Sequence, residues 1–387
     1  MKICILGWYG TETIGDRAIM VGILSFFNKV FQEIEINLGS LYPFYSKRML
    51  KEDSILYKKV LKKNIKITLF DSQNKKELNE FIKKSDVVIM GGGPIMDIDE
   101  VFMIEYAFKK SKKMKKKTGI LGCGIGPLYS LPHKKSSINI INNSDLVILR
   151  DEQSKEKLID ISNELNIKIE EEKIKVAFDP AVECCLNFLE NNAPKTNNEI
   201  VINLREYPDC YSKESKLYKI NRNLEEFIIK FSQKYNDFII RLVPMHCFNI
   251  GNDDRKFLNY IKLKNNLENI IVQNEILSLQ ETMKLYMDAK FCIGMRFHSV
   301  VFQTLLNGKN YVLDYTEPKV GKISGFLSKI DKNGFYKGRY ICLQETDFIN
   351  MDEVFNISTI NNKFIYDKKE IKMNLRIYEN EIREKFI

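Results

Sequence analysis

The sequence predicts an α/β protein of two Rossmann-like domains facing each other across a cleft, and three observations carry that prediction. Runs such as Asp86-Val-Val-Ile-Met90 and Asp145-Leu-Val-Ile-Leu149 are apolar after their first residue, as strands buried on both faces of a parallel sheet are. They alternate with stretches of helical length and period. The alternation stops at Asn191–Asn198, which is polar, contains proline and lacks periodicity, and restarts at Glu199. The length of 387 residues agrees, because single cores stop growing at about 250 to 300 residues. The expected boundaries are 1–190 for the first domain, 191–198 for the linker, 199–335 for the second domain and 336–387 for a tail of one strand and a charged helix.

Composition narrows the class. Hydrophobic residues make up 44% of the chain, with 24 Phe and 18 Tyr, enough for buried cores and against disorder. No uncharged apolar stretch of about 18 residues is present, and Met1-Lys-Ile-Cys-Ile-Leu-Gly7 reads as a strand entering a glycine turn, so a cytoplasmic location is expected. The eight cysteines are scattered without a C-x-x-C pair and are expected as buried small hydrophobes, with no metal site. The net charge of +9 comes from lysines interspersed with acids, and no basic and aromatic interleaving marks a nucleic-acid groove. The dense run Lys109–Lys117 continues an amphipathic segment and reads as an exposed helix end; peripheral contact with the inner face of a membrane is its second reading.

In the first domain, Lys2–Leu6 is a strand followed by the glycine loop Gly7-Trp-Tyr-Gly10 through Gly15 and a helix from Ile19 to Val30. The spacing is neither the dinucleotide fingerprint nor a P-loop. Strand Glu35–Leu38, a helical stretch from Ser46 to Val60, strand Lys66–Phe70 and a helix from about Glu77 to Lys84 follow. The strand ending at Met90 runs into Gly91-Gly92-Gly93-Pro94, and the strand from Thr118 exits through Gly124-Ile-Gly126-Pro127. Glycines weaken strands, so these exits read as ligand-facing loops, with plain tight turns as the alternative. The strand ending at Leu149 delivers Arg150 to the same edge, where a structural pair with Asp151 or Glu152 is the competing reading. Trp8 and Tyr9 could stack on a sugar ring or pack under the helix. His133, after Pro132, is expected as a solvated loop residue.

In the second domain, strand Glu199–Leu204 exits at Arg205, and Phe238–Val243 exits at Pro-Met-His246. A helix spans Asn223 to Lys234, and others lie around Asp254–Tyr260 and Leu277–Met287. The strand Lys290–Ile293 is broken by Gly294, presents Arg296 and His298, and continues as a helix from Ser299 to Leu306. Strand carboxyl ends are where open α/β sheets bind ligands. There, Arg296 and His298 can offer one anionic substrate a fixed cation and a titratable proton carrier. A capping Arg296 and a satisfied core His298 form the competing reading. Strand Tyr311–Tyr315 is followed by Glu317, Lys319 and Lys322.

These pieces together resemble the polysaccharide pyruvyl transferase family. The matching residues are Gly7-Trp-Tyr-Gly10 with Gly15-Asp16, Gly91-Gly-Gly93, Gly124-Ile-Gly-Pro127, Arg150-Asp-Glu-Gln-Ser154 and Asp179-Pro-Ala181. Pro244-Met-His246 with Asp253, Gly294-Met-Arg-Phe-His-Ser299, and Tyr315 with Pro318-Lys-Val320 complete the set. The order is kept over about residues 3 to 325. Two departures stand out: Gly15-Asp16-Arg17 replaces the usual Gly-Asp-Glu, and Thr13 stands near a usual Asn. The resemblance implies a GT-B-like fold and transfer of a pyruvyl unit from phosphoenolpyruvate to a sugar of an exopolysaccharide or cell-wall polymer, or its lipid-linked precursor. A cyclic ketal forms, phosphate is released, and no cofactor or metal is implied.

Phosphoenolpyruvate carries a carboxylate and a phosphate, which suits Arg296, Arg205, Arg150 and Lys319 at strand exits. Protonating its methylene carbon makes the electrophile, and His298 is the candidate acid. Asp16 is the candidate base for the sugar hydroxyl, or the cap of a helix starting near Ala18. The glycine loops (Gly10, Gly92, Gly93, Gly126), His246 and Ser299 complete the expected binding set, with a structural His246 as the alternative. A GT-B nucleotide-sugar glycosyltransferase or epimerase is one rival; a non-catalytic sugar- or anion-binding protein is the other. The acceptor and the oligomeric state are not legible at this level.

Overall fold

The computed structural model describes residues 1–61, 65–211, 214–248, 250–345 and 361–387. The chain divides into two compact units. One comprises Met1–Glu12, Asp16–Asn187 and Asp367–Ile387; the other comprises Thr13–Gly15 and Phe188–Tyr366.

In the first unit, strands β1 (Lys2–Leu6), β2 (Glu35–Ser40), β3 (Lys66–Asp71), β4 (Val87–Gly91), β5 (Pro94–Ile95), β6 (Lys117–Ile125), β7 (Leu146–Leu149) and β8 (Ile174–Val176) form one sheet. Its order is β3-β2-β1-β4-β6-β7-β8, with β5 added to β6, and the pairings are parallel. Every residue of β4 is buried, as its unbroken apolar composition requires of a strand covered on both faces. The strand order reverses between β1 and β4, where the two exits pass so closely that a side chain on Gly7 would stand 2.3 Å from the Gly91 carbonyl oxygen.

The tail that the sequence sets apart divides between the units. Its strand belongs with the second, residues 346–360 lie outside the described residues, and helix Lys368–Phe386 packs on the first. Ile371, Leu375, Tyr378, Ile382 and Phe386 recur at three- and four-residue intervals and are buried. Tyr378 stacks on Phe26 with centroids 4.4 Å apart and donates to the Phe178 carbonyl at 2.9 Å.

Three elements differ from expectation. The first helix runs Ile14–Val30, starting well before Ile19. The stretch 46–60 is two helices, Pro43–Glu52 and Ser54–Leu61, separated by Asp53, whose carboxylate is buried 3.5 Å from Arg17. Residues Leu131–Asn142 form a helix opened by Ser130 as cap and by Pro132 in its first turn. His133 is therefore not a solvated loop residue. Its Nδ1 lies 2.6 Å from Ser130 Oγ, its ring packs on Phe102 at 4.7 Å, and Asp97 and Asp99 flank it. The lysine run is the exposed end of helix Glu100–Lys113, with Lys112 paired to Asp145 at 2.6 Å. No helix among the described residues is long and apolar enough to cross a membrane.

In the second unit, β9 (Glu199–Asn203), β10 (Ile239–Leu242), β11 (Ile270–Val272), β12 (Phe291–Gly294), β13 (Asn310–Asp314) and β14 (Tyr340–Cys342) form a parallel sheet ordered β11-β10-β9-β12-β13-β14. The order reverses between β9 and β12. That is the switch point where such sheets bind ligands beyond their carboxyl ends. The helix after β12 starts at Phe297 and closes in a π-helical turn, Gln303–Asn307, before Gly308. The buried Gln303 amide donates to the Tyr311 carbonyl at 3.1 Å.

Candidate active site

The site is assembled at that switch point. Asn203, the last residue of β9, is fully buried; its amide nitrogen donates to the Val243 carbonyl beyond β10 (2.8 Å), and its amide oxygen accepts from Arg296 N beyond β12 (2.9 Å). One side chain thus fixes three strand exits. Arg296 then reaches Asp254 at the start of helix Asp254–Asn265, with Nε 2.8 Å from Oδ2 and Nη2 2.5 Å from Oδ1. The same carboxylate accepts from Met245 N at 3.0 Å and His246 N at 3.1 Å. Burial works against the Arg296 charge, but Asp254 outweighs it and raises the guanidinium pKa above its ordinary value.

Beside this pair lies Tyr315, 2% exposed, immediately after β13. The Arg205 guanidinium stands 5.6 Å and the Lys322 ammonium 5.3 Å from the centre of its ring. Arg205 donates from Nε to the Glu206 carbonyl at 3.0 Å; neither it nor Lys322 is in an ion pair among the described residues. Burial and the neighbouring Arg296 charge lower the Arg205 pKa, as expected for a half-buried cation short of counter-charge. Burial alone would raise the Tyr315 phenol. The charges of Lys322, Arg205 and Arg296 outweigh it and hold the phenol below its ordinary value. The arrangement can take an anion with several oxygens.

His246 faces the same groups. Its Nε2 contacts the Ile250 carbonyl, so that nitrogen carries the proton and Nδ1 accepts from Thr13 Oγ at 2.7 Å. Burial, then the Arg296 charge, lowers its pKa from 6.5 to about 4. A base whose folded pKa is depressed is protonated more readily in the unfolded chain. Its contribution is therefore complete above about pH 6.5 and is lost as pH falls toward about 4, up to about 3 kcal/mol. Urea midpoints measured from pH 7 down to about pH 4 are expected to fall less steeply for His246→Gln than for the unaltered protein. Parallel curves would remove His246 as the cause.

The other expected residues distribute unevenly. His298, half-buried, is the second residue of helix Phe297–Phe302; its ring meets Phe297 edge-on at 4.9 Å and closely faces Gly15. Ser299 is fully buried and donates to the Arg296 carbonyl at 2.7 Å, so it steadies the turn from inside. Lys319 stands exposed at φ +65°; Lys322, three residues on, is the lysine over Tyr315.

In the first unit, Arg150 is not an open substrate contact. Its side chain is 4% exposed and lies between Asp151 (3.4 Å), a partner the sequence also allowed, and Asp179 (3.6 Å), which it did not suggest. Asp16 is buried in the first turn of the helix from Ile14, inside the helix and not at the residue before it. Gly10, Gly92, Gly93 and Gly126 adopt positive φ, and a side chain on Gly93 would stand 2.1 Å from Trp8 Cδ1. Trp8 and Tyr9 are 4% and 1% exposed, so neither ring offers a stacking face. The departure at Arg17 is a buried cluster, with Glu12 and Glu52 each 3.0 Å from its guanidinium. Seven of the eight cysteines are buried as expected, and Cys210 is exposed.

Sequence reasoning missed Asn203, Asp254 and the role of Tyr315. Asp253, which carried the motif, caps the helix and binds Arg255 at 2.6 Å, while its neighbour Asp254 holds Arg296. The signal available was a doubled acid before a helix, opposite an arginine at another strand exit. Among the described residues no group of three or more His, Cys, Asp or Glu is placed to hold a metal ion.

A family model described as polysaccharide pyruvyl transferase matches residues 14–317. No curated protein matches the sequence. Among solved structures, the chain is similar to UDP-GlcNAc 2-epimerase from Methanocaldococcus jannaschii in complex with UDP-GlcNAc and UDP, at 18% identity and TM-score 0.60 over 99% of both chains. It is also similar to UDP-GlcNAc 2-epimerase from Neisseria meningitidis bound to UDP-GlcNAc, at 13% identity and TM-score 0.54 over 98% of this chain and 94% of that one. At such identities the likeness establishes the fold, GT-B, in agreement with the sequence prediction.

Proposed function

The chain belongs to the polysaccharide pyruvyl transferase family, and from that premise we propose that it moves a pyruvyl unit from phosphoenolpyruvate to a sugar of a polysaccharide or its lipid-linked precursor, in the cytoplasm, closing a cyclic ketal and releasing phosphate. The observation that carries the donor assignment is the pair Arg205 and Lys322, cations flanking one buried phenol without an ion pair of their own among the described residues. A half-buried cation is costly until an anion joins it, and a donor with a phosphate and a carboxylate supplies more than one. Arg296, already oriented by Asp254, adds a third positive group whose direction is fixed before the substrate arrives.

In this reading the donor's anionic ends rest on Arg205, Lys322 and Arg296. His298, on the adjoining turn, protonates the methylene carbon, and the first sugar hydroxyl attacks the resulting electrophilic centre, its proton passing to solvent. The second hydroxyl displaces phosphate and closes the ring. His246 stays neutral and holds its loop against Thr13. The epimerases share the fold with this chain, but the matching family model favours pyruvyl transfer over nucleotide-sugar chemistry.

The test is incubation of the purified protein with phosphoenolpyruvate and a panel of lipid-linked sugars. Phosphate release is expected, with an acceptor heavier by pyruvate less water; phosphoenolpyruvate left intact with every acceptor sinks the reading. In the same assay Arg205→Ala is expected to raise KM for phosphoenolpyruvate about 10- to 100-fold, the loss of a charge-assisted contact.

A further inference from the structure

The phenol of Tyr315 has surroundings that packing does not explain. Buried tyrosines ordinarily direct their hydroxyl at a carbonyl or carboxylate, and two carboxylates of this region, Asp254 and Asp314, are engaged elsewhere. Asp254 holds Arg296. Asp314, the preceding residue, accepts from Thr316 N at 2.7 Å, Thr316 Oγ1 at 2.6 Å and the Tyr340 hydroxyl at 2.7 Å. What faces Tyr315 is instead cationic from three directions: Arg205 beyond β9, Arg296 beyond β12, and Lys322 on helix Lys322–Ile330. Tyr211 closes the fourth side, edge-on with centroids 5.6 Å apart, and the neighbouring Cys210, exposed as a residue but with its thiol partly desolvated and its pKa so raised, supplies no negative charge at neutral pH. The phenol oxygen thus occupies the place of an anion's oxygen among these cations.

We propose that Tyr315 is a further catalytic residue, whose phenol oxygen shares the Arg205 and Lys322 anion site with the donor's phosphate and passes a proton to that phosphate as it leaves. The proposal rests on the pyruvyl-transfer reading above. In the ring-closing step the second hydroxyl oxygen bonds to the ketal carbon, and the bond from that carbon to the phosphate oxygen breaks. The Tyr315 hydroxyl protonates the departing oxygen, and the proton of the attacking hydroxyl restores the phenol. Phosphate leaves with one proton and the enzyme is unchanged. Lys322 and Arg205 stabilise the transient phenolate, so the cations that bind the donor also make the phenol a better acid.

Two measurements on the full chain test this. In an ultraviolet pH titration, the difference between the unaltered protein and Tyr315→Phe isolates one phenolate step, which inorganic phosphate is expected to move to higher pH because a bound anion disfavours the phenolate. In turnover, Tyr315→Phe keeps the ring that Arg205 and Lys322 flank; it is expected to lower kcat about 100-fold while KM for phosphoenolpyruvate stays within about threefold. A step that phosphate does not move overturns the shared site. An unchanged kcat, or a loss confined to KM, overturns the proton transfer. If phosphate moves the step but the unaltered protein turns over no acceptor in the panel, the pyruvyl reading fails while the shared anion site stands.

Discussion

Asp254→Ala is expected to lower the stability of the second unit by about 3 to 5 kcal/mol and to abolish activity, the largest effect on folding that any single change near the site should have. The carboxylate is 1% exposed and answers one guanidinium and two backbone N–H groups. Removing it leaves Arg296 charged among Arg205 and Lys322 with nothing opposite, and strips Met245 N and His246 N of their acceptor. A domain is stable by about 5 to 15 kcal/mol, so most of that margin goes. Denaturant midpoints check the first part, with Asp254→Asn as the milder comparison. Asparagine keeps one acceptor oxygen for the backbone but no charge for Arg296. Its midpoint should lie between the other two, and its KM for phosphoenolpyruvate should rise because Arg296 is no longer held in one direction. If Asp254→Ala melts with the unaltered protein, the carboxylate does not hold these strand exits together.

The sequence made the scaffold legible because parallel strands buried on both faces are apolar along their buried length, and β4 and β7 carry that signature without interruption. It also placed Arg205, His246, Arg296 and His298 at strand exits, since a parallel sheet puts every carboxyl end on one edge. Partnership was not legible. Whether an arginine at an exit is open or closed depends on which acids the fold brings opposite it: Arg150 meets Asp151 and Asp179, whereas Arg205 meets a phenol. Local spacing does not encode that. That Lys322, and not Lys319, lies over Tyr315 was hidden for a related reason. Pro318 and the left-handed backbone at Lys319 turn the chain so that the residue after Gly321, at the start of a helix, comes over Tyr315. The early start of the first helix followed from contacts remote in sequence, with Ile14 N donating to the Met245 carbonyl at 3.1 Å.

Gly15→Ala is expected to cost nearly as much activity as His298→Ala, although it removes no chemical group. At the second position of helix Ile14–Val30 an alanine should favour the helix by up to about 1 kcal/mol over glycine. The added Cβ would stand 1.8 Å from His298 Nδ1 and 2.3 Å from Cγ, far inside contact distance, so the imidazole must leave its place. A displaced general acid forfeits the roughly 10²- to 10⁴-fold that proton transfer contributes. The double mutant decides whether this is the cause. In a His298→Ala background the three atoms nearest the new methyl, all of the imidazole, are gone. The second substitution should then leave residual activity where it was and raise the denaturant midpoint above that of Gly15→Ala alone, a coupling of about 0.5 to 3 kcal/mol. Full activity in Gly15→Ala, or losses that simply multiply in the double mutant, would remove His298 from the position in which it can deliver a proton.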